Sequence, residues 1–99
     1  MIRLLAAALL ISTLPATGSD DPPYVGTWDC EVSTFTFTAT TYDSGEGPMP
    51  ILKSEKDGGA YTLSFKDGYR INLASITATD MDWFSEASGD TFHCTKIQR

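Results

Sequence analysis

The chain has 99 residues, a fifth of them charged, with thirteen Asp and Glu against seven Lys and Arg and a formal net charge of −6. Such an acidic balance excludes nucleic acid as a partner, because phosphate binding demands a basic face, and it disfavours anionic membranes. It suits solubility or a basic protein partner.

Residues 1–18 read as a secretory signal peptide. Arg3 gives a positive start, residues 4–11 are an unbroken apolar run, and residues 12–18 are small and polar with one proline. Cleavage is expected after Gly18, with Ala16 as the alternative. No cysteine follows the apolar run, which excludes the lipid attachment of bacterial lipoproteins. The run is also shorter than the roughly 20 residues a membrane span needs. Residues 14–18 spell a sortase sorting signal as well, but such signals precede an apolar segment and a basic tail, and here the order is reversed. The mature domain is expected over residues 19–99. It carries six Lys and Arg against thirteen Asp and Glu, a net of −7, and its size is one at which a core alone stabilises only marginally.

From residue 24 onward the pattern alternates with period two, rich in Thr, Val, Ile and aromatic residues, as strands prefer. The first strand is expected over residues 24–32, with Trp28, Cys30 and Val32 on one face. The second covers 34–41, with Phe35, Phe37 and Ala39 inward, and a turn or bulge must absorb the parity change between Val32 and Phe35. Residues 43–50 hold two glycines and two prolines and read as an irregular loop. A short strand follows near 51–56. Asp57-Gly58-Gly59 and Asp67-Gly68 mark two hairpin turns, around a strand carrying Tyr61, Leu63 and Phe65 and before one carrying Tyr69, Ile71 and Leu73. A strand over 75–84 is bulged near Thr79-Asp80. A turn at 87–90 leads to the last strand, 91–97, with Phe92 and Cys94 on one face.

Cys30 and Cys94 are the only cysteines. In a small exported domain such a pair reads as a disulfide, worth about 4 kcal/mol in the chain-entropy model for so long a loop. Bridging the first strand to the last predicts a small antiparallel up-and-down β-barrel of about seven strands, with a two-sheet sandwich as the alternative. The core is then Trp28, Phe35, Phe37, Leu63, Phe65, Ile71, Leu73, Trp83 and Phe92, with little room for an internal ligand.

Chemistry is sparse. His93 alternates with Phe92 and Cys94 and so faces away from the core. It could serve as a base for Ser85 or Ser88, but no nucleophile-elbow pattern accompanies it. Asp80 and Asp82 share a strand face and could bind Ca²⁺, yet their spacing is not that of an EF-hand. Glu86 and Asp90 form a second acidic pair. No phosphate-binding glycine loop is present and no cofactor is implied. Tyr24, Tyr42 and Phe84 are the candidates for an exposed aromatic patch, and Ser88, Gly89 and Asp90 complete the candidate binding residues.

Gly26-Thr27-Trp28 resembles the opening of the calycin barrels, including lipocalins, where a Gly-x-Trp plugs the barrel end; the mature chain is about half a lipocalin's length. A second resemblance is to the periplasmic inhibitors of C-type lysozyme, exported β-barrels of this size with a disulfide between early and late strands. Trp28-Asp29-Cys30 with Phe35-Thr36-Phe37 resembles their opening, and Trp83-Phe84-Ser85, Ser88-Gly89-Asp90 and Cys94 resemble their closing half. That family inserts a Ser-Gly-x-x-Tyr loop into the lysozyme cleft. Gly58-Gly59-Ala60-Tyr61 and Ser88-Gly89-Asp90-Thr91-Phe92 are the nearest segments here, and neither keeps the whole motif.

The expectation is a non-enzymatic, monomeric, secreted or periplasmic barrel, bacterial in character, that binds a basic protein or a small ligand through its surface at residues 43–50 and 87–90. The alternative is an inhibitor of a basic hydrolase such as C-type lysozyme.

Overall fold

The computed structural model describes residues 21–97; the expected signal peptide at 1–18 lies outside the described residues. Nine strands follow one another: β1 (Gly26–Asp29), β2 (Thr34–Phe37), β3 (Thr41–Asp43), β4 (Pro48–Pro50), β5 (Lys53–Asp57), β6 (Ala60–Ser64), β7 (Arg70–Ala74), β8 (Asp80–Ser85) and β9 (Thr91–Lys96). All pair antiparallel in a single sheet of order β4-β3-β2-β1-β9-β8-β7-β6-β5. Two meanders, β1–β4 and β5–β9, therefore meet along one ladder, β1 against β9, and the sheet curls into a half-barrel. The all-β antiparallel architecture is as expected, and one sheet takes the place of the sandwich alternative. The strands number nine rather than about seven.

The two additional strands have local causes. The expected second strand breaks after Phe37 because the Thr38 hydroxyl accepts hydrogen bonds from the N–H groups of Thr40 (3.2 Å) and Thr41 (2.9 Å). Threonine thereby offers the backbone a turn in place of a ladder. Ala39, expected inward, sits exposed at this turn. The turn sets Tyr42 directly opposite Phe37, so Tyr42 joins the core. Within the expected loop at 43–50, the Asp43 carboxylate accepts from the N–H groups of Gly45 (2.7 Å) and Gly47 (3.2 Å). That folds the loop back and pairs Pro48–Pro50 with β3 as β4.

The parity change after β1 is absorbed by a turn. Val32 N–H donates to the Cys30 carbonyl at 2.7 Å across Glu31, whose φ is 71°. This is a γ-turn in its uncommon positive-φ form, and it swings Val32, expected inward, out to 64% exposure. The second parity change, near Thr79-Asp80, is likewise a turn. Ser75 has a φ of 53°, the Thr77 hydroxyl accepts from the N–H groups of Thr79 and Asp80, and β8 starts only at Asp80.

Thirteen residues form one core: the expected Trp28, Phe35, Phe37, Leu63, Phe65, Ile71, Leu73 and Trp83, joined by Tyr24, Tyr42, Met81 and the two cysteines, with Phe92 packed against them half-buried. Nine aromatic rings touch in a continuous series. It runs from Tyr61 through Tyr24, Phe37, Tyr42 and Phe35 to Trp83 and Phe92, with a branch from Tyr42 through Phe65 to Tyr69. Side chains thus fill the inside of the curl.

The β1–β9 ladder pairs Trp28 with Lys96 and Asp29 with Thr95. Continued one step, the register sets Cys30 opposite Cys94, and the two are bridged with a Cα–Cα distance of 4.1 Å. The bond is compatible with an oxidising compartment. At the other end of the ladder, the Lys96 ammonium lies 5.2 Å from the Trp28 ring centroid and donates to the Val25 carbonyl (3.1 Å). The Trp28 indole N–H donates to the Tyr24 carbonyl (2.9 Å). Gly26 has a φ of 142°, and a Cβ there would sit 2.5 Å from Lys96 Cε. Glycine at 26 therefore lets the lysine cross the strand and reach the tryptophan.

The chain passes between the meanders at Ile51 and Leu52. Ile51 N–H donates to Thr40 on one side and Leu52 N–H donates to Ser64 on the other, both at 2.8 Å. Each free edge is guarded. The Ile51–Thr40 bond and the β3–β4 register place Met49 in a bonded pair with Tyr42. The backbone groups of Pro48 and Pro50 then point away from β3, where proline has no N–H to offer another strand. The opposite edge, β5, has the sequence Lys-Ser-Glu-Lys-Asp and is exposed throughout.

Replacing Cys30 and Cys94 together by alanine is expected to cost about 4 kcal/mol for a bridge between residues 64 apart. The melting temperature should fall by about 15 °C or more; differential scanning calorimetry of oxidised, reduced and doubly substituted protein checks this.

Candidate functional site

The expected site residues do not converge. Tyr42 is 1% exposed. Its ring stacks on Phe37 at 4.7 Å and meets Phe35 and Phe65 at 5.6 Å. Burial drives its phenol pKa well above the usual range, and the neighbouring Tyr69 adds to the shift. Tyr42 is therefore a core residue and not part of an exposed patch. Tyr24 is also fully buried, its hydroxyl 3.1 Å from that of Ser54. Phe84 alone of the three expected aromatics reaches solvent, at 37% exposure.

Ser88, Gly89 and Asp90 form the exposed β8–β9 turn. Gly89 N–H donates to the Ser85 carbonyl (2.8 Å), Ser88 N–H to the Ser85 hydroxyl (3.4 Å) and Asp90 N–H to the Ser88 hydroxyl (3.3 Å). These bonds close the turn on itself. Of the second acidic pair, Glu86 is taken by Arg70, which donates to it through Nε (3.0 Å) and Nη2 (2.8 Å).

On the outer face, β8 and β9 bring together groups that the sequence placed separately. Asp82 lies opposite His93 in register. His93 Nδ1 is 3.0 Å from Asp82 Oδ1 and Nε2 is 2.8 Å from Asp80 Oδ2. A neutral imidazole has one N–H, whereas two flanking carboxylates ask for two, so this geometry favours the imidazolium. The His93 pKa is accordingly raised, first by the hydrogen bond to Asp82 and then by that to Asp80. The Asp80 pKa is lowered, first by the Thr79 hydroxyl and then by His93. The backbone N–H of His93 donates to Glu31 Oε2 at 2.8 Å, so the γ-turn carboxylate extends the ladder past the point where β1 turns away. Both ring nitrogens of His93 are thus engaged by aspartates, and Ser85 lies buried on the opposite face of β8. The arrangement does not join a base to a nucleophile. Among the described residues, no group of three or more His, Cys, Asp or Glu is placed to hold a metal ion.

The site that reading the sequence missed is a groove of about 370 Å³ between β4 and the β6–β7 turn. Met49, Phe65 and Tyr69 form its apolar lining, Pro48 and Pro50 its β4 wall, and Lys66 and Asp67 its rim. Its volume lies within the range of small-ligand sites. Phe65 and Tyr69 are held by their ring contact (5.7 Å) and by the Phe65 N–H donating to the Tyr69 carbonyl (2.8 Å). Between them Asp67 takes a φ of 66° and Gly68 one of 79°, which fixes the sharp turn forming the rim. The sequence signalled both halves, as a proline-bearing loop and an Asp-Gly hairpin. Their apposition across the open side of the sheet had no local signal.

No known protein family, curated protein or solved structure matches this chain.

The His93 cluster makes stability depend on pH. A histidine pKa raised above 6.5 in the folded state gives stabilisation that is full below pH 6.5 and lost as pH rises through the folded value. An aspartate pKa lowered below 3.8 gives stabilisation present above that pH and lost as pH falls through the folded value. The melting-temperature gap between the native chain and His93→Gln should therefore be widest between about pH 4 and 6.5 and shrink at pH 9, as thermal melts across that range would record.

Proposed function

We propose that this protein is a non-enzymatic binding module of the periplasm or the extracellular space, acting through its surface. The observation carrying this reading is the groove left where the curl does not close. Contiguous aromatic rings fill the inside of the curl, while an apolar groove stands open to solvent at its unclosed side, walled by part of the 43–50 segment. The β-architecture closed by the Cys30–Cys94 disulfide and the Gly26-Thr27-Trp28 opening support the same reading. A fragment screen read by ¹H–¹⁵N correlation spectra tests it. Perturbations should converge on Met49, Phe65 and Tyr69; hits scattered over the surface, or none, would discard the groove as a binding site.

A second reading, inhibition of a basic hydrolase such as C-type lysozyme, is favoured by the acidic outer face formed by Asp29 at the end of β1, Glu31 in the γ-turn beside β9, and Asp80 and Asp82 on β8. Electrostatic steering of this kind weakens with salt. Against an inserting loop stand Phe92, stacked on Trp83 at 5.2 Å, and Tyr61, packed edge-on to Tyr24 at 5.2 Å. An inhibited lysozyme at low salt whose activity recovers at high salt would support this second reading; full lysozyme activity at low salt would remove it.

A further inference from the structure

The groove differs from an ordinary apolar cleft in the polar groups on its borders. The β3–β4 register turns the Pro48 and Pro50 carbonyls toward the free edge of β4, and neither carbonyl accepts a backbone hydrogen bond from a turn or loop among the described residues. Because both residues are prolines, that edge is a row of acceptors without the donors of an ordinary strand. An incoming strand needs alternating donors and acceptors, so strand addition is disfavoured here. A side chain with several N–H donors meets the edge without that mismatch.

The rest of the lining points the same way. Phe65 and Tyr69 contribute aromatic rings, whose faces attract cations. Asp67 sets a carboxylate on the rim, held by a backbone at φ 66°, and the whole chain carries −6. Lys66 is the one cation at the groove; it is exposed, and among the described residues it forms no ion pair. Its long stem can carry the ammonium outward into water.

Resting on the reading of the groove as a binding site, we infer that its occupant is an arginine side chain from a basic protein partner. The guanidinium presents five N–H donors in a flat, always-charged group. Those donors suit the Pro48 and Pro50 carbonyls and the Asp67 carboxylate, its face suits the aromatic rings, and its aliphatic stem suits Met49. Lysine offers the charge without the plane. An anionic side chain would face carbonyl oxygens and aromatic faces, both repulsive to it.

The test uses the oxidised protein and three blocked pentapeptides, Ala-Leu-X-Leu-Ala, with arginine, citrulline or glutamate at X, followed by ¹H–¹⁵N correlation spectra. Citrulline keeps the shape of arginine and loses its charge. The arginine peptide should perturb Met49 and residues 65–69, with the citrulline peptide binding about tenfold more weakly and the glutamate peptide more weakly still. Asp67→Asn should weaken the arginine peptide severalfold and leave the fold intact, since asparagine tolerates positive φ; Asp82→Asn, on the outer acidic face, should leave binding unchanged. Equal binding of the arginine and citrulline peptides, or preference for glutamate, would overturn the inference while leaving a fragment-binding groove in place. Perturbations confined to β8 and β9 and lost in Asp82→Asn would overturn it in favour of the acidic face. Silence from all three peptides, with fragments binding at Met49, Phe65 and Tyr69, would overturn the arginine assignment alone, and silence from both sets would remove the binding site itself.

Discussion

The ladder between β1 and β9 is the constraint on which the rest of this structure depends. In the strand order it is the single join between the first four strands and the last five. Without it the chain is two meanders linked through Ile51 and Leu52, each with a bare apolar face. The ladder itself is short, with two paired residues on each side. It is held at one end by the Cys30–Cys94 bond and at the other by Lys96 lying over Trp28. Bringing residues so far apart in sequence together carries a loop-closure cost, and a covalent bond at that place removes the cost from the unfolded chain. A domain of this size, with a modest core, gains most from a cross-link placed where its contacts are most non-local.

An open sheet has two edges, and here they are guarded by different chemistry. β5 presents charge along its whole length, whereas β4 presents proline at the two positions whose N–H would otherwise point outward. Charge repels another chain in general, and proline removes the donors that pairing requires. The proline edge leaves its carbonyls available, and the groove lies beside them. The device that discourages strand pairing and the polar border of the groove are thus made from the same two residues.

Much of the architecture was legible from the alternation of apolar residues, since every strand of the second meander is bounded by a turn that glycine or hydroxyl side chains announce. Eight of the nine expected core residues are buried and Phe92 is half-buried. The errors at Ala39, Tyr42 and Val32 share one cause, strands drawn too long. Treating residues 34–41 as one strand hid the Thr38 turn, and so sent Tyr42 outward and Ala39 inward. Extending β1 to Val32 hid the γ-turn at Glu31, whose positive φ has no signal in the residue type. The His93 cluster was within reach. Asp80 and Asp82 were placed on one face and His93 outward, and a turn at 87–90 implies a register with Asp82 opposite His93. The groove was beyond local reasoning, because its walls come from segments separated by two strands and meet only when the sheet curls.

The distance along the chain between the two halves of the β1–β9 ladder also sets an order of events. Synthesis delivers β1 first and β9 last, so Trp28, Phe35, Phe37 and Tyr42 are all made before the strand that completes their burial exists. For that interval the first meander is a sticky, aromatic-rich segment of the kind that aggregates or recruits a chaperone. Its threonine-lined outer face and the prolines of β4 are then its main protection against meeting another copy of itself.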